Sequence, residues 1–175
     1  INAKQKYISV GKGGSIISSS SGEIWTSEIS NTDKTLWDIT FGNNKFVAVG
    51  NEGTILVSDN GTNWDKFTTP SKNNLYSISY FKDMFIAVGQ MGEIIFSYDA
   101  IDWSIQNTPT PNTLRDITFG ENKIVSVGSN GTIIFSENGL IWNHANSLNT
   151  ERLMTITYNG NNSVSYTHLR AHETS

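Results

Sequence analysis

Between residues 36 and 74 the chain runs through four short segments in which apolar and polar positions alternate, each closed by turn residues. Leu36-Trp37-Asp38-Ile39-Thr40-Phe41 has period two, the pattern of a half-buried strand, and Gly42-Asn43-Asn44 supplies a turn. Lys45-Phe46-Val47-Ala48-Val49-Gly50 follows, rich in branched and aromatic residues, and Asn51-Glu52-Gly53 is the next tight turn. Thr54-Ile55-Leu56-Val57-Ser58 is a third strand. Asp59-Asn60-Gly61-Thr62 then turns the chain into a fourth at Trp64, which frays into the polar loop 69–74. The pattern predicts four antiparallel strands, A to D, and one longer link.

The same pattern returns along the whole chain. Trp25, Trp64, Trp103 and Trp142 each stand 39 residues apart, and Val10-Gly11, Val49-Gly50, Val88-Gly89 and Val127-Gly128 keep that step. A four-stranded sheet of this size cannot hide both faces alone, so it must stack on neighbours, and a period near 40 built this way is that of a propeller blade. The expected fold class is therefore all-β, a β-propeller segment of about four blades forming an open arc of a larger propeller of six to eight blades. Copies fall near 7–35, 36–74, 75–113 and 114–152, with strand A of a fifth at 153–158, giving a repeat region over 1–162. The alternative is a four-blade ring closed by 153–158 pairing with residues 7–25.

Comparing copies separates scaffold from variation. Ile39, Ile78, Ile117 and Ile156 recur in strand A, with Phe41, Tyr80, Phe119 and Tyr158 two residues on. Both series are expected to fill the space between blades near the axis, and the four tryptophans to form interblade core. Immediately after the recurrent Leu the residue changes: Trp37, Tyr76, Arg115 and Met154. A scaffold position should repeat, so Trp37, Tyr76 and Arg115 are read as a ligand-binding surface at the start of strand A, where aromatic faces and a guanidinium suit a glycan or a peptide. The links 29–34, 69–74, 108–113 and 146–151 are expected on that face with the turns 12–14, 51–53, 90–92 and 129–131.

Ser19, Ser58, Ser97 and Ser136 lie six residues before a Trp, and Gly22, Gly61 and Gly139 lie three before one, Ala100 replacing the third glycine. The segment from Ser58 to Trp64 resembles the Asp-box turn of bacterial neuraminidase (BNR-type) repeats, Ser-x-Asp-x-Gly-x-Thr-Trp. Asp59, Gly61 and Trp64 match it, while Val57 and Asn63 stand at the family's Ser and Thr. It is more similar to the looser Ser-x-Asp/Asn-Gly-x-x-Trp form of WD40/YVTN/BNR-like propellers, which include the photosystem II assembly-factor-like group. On this resemblance Ser58, Asp59, Gly61 and Trp64 form a structural turn, repeated at Ser19, Gly22 and Trp25, at Ser97, Asp99 and Trp103, and at Ser136, Gly139 and Trp142. The resemblance implies a bacterial surface or secreted protein and a binding scaffold for protein or carbohydrate. It also brings in sialidase-like hydrolases, whose site needs an arginine triad, a Tyr–Glu pair and an Asp. Outside the last residues the chain has only Arg115 and Arg152, so catalytic residues of such a parent would lie outside this segment. A tectonin-type lectin is the third reading.

Composition narrows the chemistry further. The formal charge of -4 is unclustered, which argues against a nucleic-acid partner, and the chain has no long apolar run for membrane insertion. With no Cys there is no disulfide, thiol nucleophile or thiolate ligand. Asp59, Asp99 and Asp102 lack the alternating oxygen spacing of calcium loops, so neither a metal nor a cofactor is expected. Asn60-Gly61-Thr62 and Asn130-Gly131-Thr132 fit the glycosylation pattern but read as hairpin turns. His144, in a single copy, is read as an exposed strand residue. Val164-Ser165-Tyr166-Thr167-His168-Leu169-Arg170-Ala171-His172-Glu173-Thr174 resembles a translated sequencing adapter, so 163–175 is read as a non-native tail and the His168/His172 pair is set aside as a metal site. With that tail and no initiator Met, the chain is read as a fragment.

Overall fold

The computed structural model describes residues 6–160 and the backbone of Ser163–Tyr166. The protein is an all-β propeller segment. Strands β1 (Tyr7–Val10), β2 (Ile16–Ser19) and β3 (Thr26–Glu28) form a three-stranded antiparallel first blade. The second blade is β4 (Leu36–Gly42), β5 (Lys45–Gly50), β6 (Ile55–Ser58) and β7 (Asp65–Phe67); the third is β8 (Leu75–Phe81), β9 (Met84–Gly89), β10 (Ile94–Ser97) and β11 (Ser104–Gln106). The fourth is β12 (Leu114–Gly120), β13 (Lys123–Gly128), β14 (Ile133–Ser136) and β15 (Asn143–His144), and β16 (Thr155–Tyr158) pairs with β17 (Ser163–Tyr166). Strand order within each blade follows chain order, as hairpins joined by tight turns require. The residues β17 occupies belong to the stretch read as a foreign tail; they fall where strand B of a fifth copy would. His168 and His172 lie outside the described residues. The ring closed through 153–158 is not formed, because β16 bonds to β17 and packs on β12 and β13. No helix among the described residues is long and apolar enough to cross a membrane.

Blades stack through their apolar faces. Trp64, on the second blade, packs with Ile16 of the first and with Leu36, Ala48 and Leu56. Trp103 sits with Val47, Val49, Ile55 and Val57 of the second blade and with Phe85 and Ile95 of its own. Trp142 does the same against Phe81, Met84, Ile86 and Ile94 of the third. Each indole thus fills the groove of the blade before it, and these three rings are 4%, 8% and 6% exposed. Trp25 departs from the expected series at 41%. Its blade has no described blade on that side, so among the described residues the ring has no groove to enter, and its Nε1–H bonds the Gly22 carbonyl, 3.0 Å away.

The second strand-A series also departs from expectation. Ile78, Ile117 and Ile156 are buried, but Phe41 and Phe119 are 48% and 50% exposed. For Tyr80, Phe119 and Tyr158 the residue at the end of the preceding strand A decides how far the ring can enter. Gly42 and Gly120 leave room for the rings of Tyr80 and Tyr158, which lie where a Cβ would stand. Phe81 fills the equivalent space, so Phe119 can only tilt against it at 5.9 Å and remains at the surface.

Inner strands β4, β8, β12 and β16 lie side by side, stitched by polar groups. Asp38 Oδ2 accepts from the Ile78 N–H at 2.8 Å, and Asp116 Oδ2 accepts from the Ile156 N–H at 2.8 Å and the Thr155 hydroxyl at 2.7 Å. Each carboxylate also accepts from the N–H of the residue after it, Ile39 and Ile117. Sequence reading did not find these stitches, although Asp38, Ser77, Asp116 and Thr155 stand 39 apart as polar residues inside apolar strands.

The burial pattern generates a stability prediction. Trp64→Ala or Trp103→Ala is expected to lower unfolding stability by about 3–5 kcal/mol, because a ring-sized cavity opens between blades. Trp25→Ala should cost about 1 kcal/mol or less. Urea denaturation of the three variants checks this; equal losses at Trp25 and Trp103 would remove the groove-filling account.

Candidate recognition surface

The strand-A start is irregular in all three complete blades. Leu36 pairs with Gly50 and Asp38 with Val49, so one step on β5 faces two on β4, and Trp37 is the extra residue of a β-bulge. The same shift falls between Leu75 and Ser77, and between Leu114 and Asp116. A bulge turns its extra side chain out of the regular alternation. Leu75 and Ile78, or Leu114 and Ile117, can therefore both be buried although they are three residues apart. The side chains released are Trp37, Tyr76 and Arg115, the variable residues.

The three meet across blade boundaries. The rings of Trp37 and Tyr76 are edge to face with centroids 5.7 Å apart, and the Arg115 guanidinium carbon lies 4.4 Å from the Tyr76 centroid. Trp37 is 52% exposed and its indole N–H donates to Asn51 Oδ1 at 2.6 Å. Arg115 is half-buried and makes no ion pair among the described residues; its Nε is buried with no hydrogen-bond partner there. A guanidinium held over a ring keeps its charge and its terminal donors for a ligand. Met154, exposed, is the residue at this position in the next copy.

The rim around this row is tied down by links and turns. The turns Asn51–Gly53, Gln90–Gly92 and Ser129–Gly131 are single 3-10 turns whose first N–H groups donate to the carbonyls of Thr35, Asn74 and Thr113, at 2.9 Å each. Gly53 and Gly131 donate to Asn73 and Glu151 carbonyls at 2.7 Å. Side chains add to this: Asn74 Oδ1 accepts from the Glu52 N–H at 3.0 Å, and Asn112 Nδ2 donates to Thr132 Oγ1 at 2.8 Å. Lys34 pairs with Glu52 at 2.8 Å, and that hydrogen bond holds the lysine above its ordinary pKa. Met91 sits in the left-handed region at φ 58° and stands exposed at the tip of its turn.

The Ser-to-Trp turns lie away from this row, at the junction of the third and fourth strands of each blade. Ser58 Oγ accepts from the Gly61 N–H at 2.8 Å, while Asn60 Oδ1 accepts from Thr62 and Asn63, both at 2.9 Å. Asp99 does the same for Ile101 and Asp102, and Asn138 for Leu140 and Ile141. The first copy uses Ser19 and Ser21. The carbonyl or carboxylate that closes the turn thus stands two residues after the Ser, and Asp59 instead pairs with Lys45 at 2.9 Å. Those N–H groups pull the Asp99 pKa below the ordinary Asp value. At Gly61 the backbone is left-handed at φ 72°, and Ala100 takes φ 65° in the third copy, where its methyl joins the core between second and third blades. His144 is an exposed strand residue, and its Nε2 lies 2.8 Å from the Pro109 carbonyl of the preceding link. No group of three or more His, Cys, Asp or Glu with metal-site geometry occurs among the described residues.

No family model and no curated protein matches the chain. It is similar to solved structures. A structure described as YCF48 bound to D1 peptide superposes with a TM-score of 0.69 at 16% identity, covering 89% of this chain and 54% of that one. YCF48 from Cyanidioschyzon merolae gives 0.66 at 13% identity, covering 87% and 60%. The computationally designed Ika8 protein gives 0.63 at 13% identity, covering 90% and 54%. The chain therefore spans little more than half the length of these structures, and the likeness is one of fold.

Packing in the row is directly measurable. In Tyr76→Ala, the Trp37 indole N–H and the Arg115 Nε–H resonances should both move in proton–nitrogen NMR spectra, while the Trp103 indole stays in place. Unchanged Trp37 and Arg115 signals would mean that the row is not a packed unit.

Proposed function

We propose that this chain is a non-enzymatic β-propeller scaffold that binds a protein segment across Trp37, Tyr76 and Arg115. The bulges carry this reading, because they turn three unlike side chains out of three consecutive blades and onto one line. The three side chains contact one another in chain order, so an extended chain laid across them would meet an indole, a phenol ring and a guanidinium in turn. The rim bonds hold the donors and rings in place before a ligand arrives, which lowers the ordering cost of binding.

The turns support membership of the WD40/YVTN/BNR-like group: Ser58, Asn60, Gly61 and Trp64 fit its looser form both in sequence and in the role each plays. A fold shared with a propeller bound to a peptide is consistent with a protein ligand. The repeat region is taken as one unit over 1–162 and 163–175 as a foreign tail, although the first residues of that tail pair with β16.

A phage-displayed random dodecapeptide library panned on the protein, in parallel with a glycan array, tests the reading. Selected peptides are expected to lose about tenfold or more in affinity in both Trp37→Ala and Arg115→Ala, about 1.4 kcal/mol each, with melting temperatures near that of the parent. Affinities unchanged in both variants would sink the assignment of this surface. Binding confined to the glycan array would move the protein to the lectin reading.

A further inference from the structure

Ser77 is buried on β8 between two carboxylates. Its Oγ lies 2.7 Å from Asp38 Oδ2 on β4 and 2.9 Å from Asp116 Oδ1 on β12. Both are hydrogen-bond distances, yet a serine hydroxyl has one hydrogen to give. If both carboxylates are ionised, one of the two contacts joins oxygens with no hydrogen between them, at a buried hydroxyl flanked by two half-buried carboxylates. A single added proton removes the conflict. A carboxylic acid at Asp38 donates to Ser77 Oγ, and Ser77 donates onward to Asp116.

We infer that Asp38, Ser77 and Asp116 share one proton taken from solvent, which latches the inner strands of the second, third and fourth blades and is released as pH rises. The direction of sharing follows from the remaining donors. Asp116 accepts from Ile117, Ile156 and Thr155, three donors that stabilise its charge. Asp38 accepts from Ile39 and Ile78 only, so it is the weaker anion and the better place for the proton.

Among the described residues no cation is paired with either carboxylate. Lys45 on β5 and Lys123 on β13 stand opposite Gly42 and Gly120, at the far ends of the inner strands, and face Asp59 and Glu137. Lys12 and Glu52 lie in turns at the start of the inner strands, with Glu52 held by Lys34, and Arg115 is stacked on Tyr76. Tyr7, Tyr80 and Tyr158 are the remaining titratable groups on packed strands, and burial holds the last two above their ordinary range. Burial, with the charge of Asp116 beside it, likewise raises the Asp38 pKa.

A carboxyl whose pKa is higher in the fold than in the unfolded chain binds its proton more tightly when folded. Stability therefore falls as pH climbs from the ordinary Asp range, near about 4, through the raised value, and is level above it. For one proton the unfolding equilibrium constant should rise by up to about tenfold per pH unit in that window.

Carbon-13 NMR of the Asp side-chain carboxyls, followed with pH on the intact chain, tests this together with urea denaturation at each pH. In the parent, one of the two carboxyls at 38 and 116 should ionise clearly above the ordinary Asp range. Ser77→Ala should lower that midpoint and flatten the stability slope, and Ser77→Thr, which keeps the hydroxyl, should retain both. Ordinary midpoints for both carboxyls in the parent, or an unchanged high midpoint in Ser77→Ala, would overturn the shared proton. Neither readout involves a ligand, so failure here is separate from failure of the proposed binding surface.

Discussion

The architecture depends on one constraint: a blade of four short strands has two apolar faces and can cover neither without a neighbour. The large ring that opens the fourth strand meets that need by entering the groove of the blade before it, as Trp64, Trp103 and Trp142 do. An indole removes up to about 200 Å² from water, roughly 5 kcal/mol of gross apolar stabilisation at the upper bound, so the ring is a large single contribution to each interface. The serine turn before each Trp makes the geometry repeatable. It fixes the backbone before the ring through two or more side-chain-to-backbone bonds in each copy.

Close to the axis, a different balance operates. The space between inner strands is too narrow for large side chains on both partners, and small residues on one strand accommodate rings on the next. Polar groups work there only because each finds a partner across a blade boundary. Asp38 and Asp116 would be costly if buried alone, yet they take up backbone N–H groups of the following blade and so define its height relative to their own. Packing sets the distance between blades, and these carboxylates set their register.

That register places the candidate surface. Each bulged residue immediately precedes a stitch residue: Trp37 before Asp38, Tyr76 before Ser77, and Arg115 before Asp116. The row is therefore anchored by the same hydrogen bonds that align the inner strands. Its members can vary because the bulge removes them from the packing that fixes their neighbours. Such a division lets one rigid framework present different chemistry without changing its core.

The 39-residue step determined the all-β pattern of four-stranded sheets and the need to stack, since each follows from periodicity and from the inability of a small sheet to bury itself. The variable residue after each Leu also drew notice by failing to repeat. Tertiary structure alone decided what that failure meant. The period-two pattern expected from Leu36 to Phe41 fails at its first step, because pairing with β5 makes Trp37 the extra residue of a bulge. The exposure of Trp25, Phe41 and Phe119 likewise depends on what the adjacent blade offers, as does the meeting of Asp38, Ser77 and Asp116. Local sequence fixes what a residue can do within its own strand. Contacts between residues 39 or more positions apart depend on how blades are spaced and aligned, and that is a property of the packed assembly.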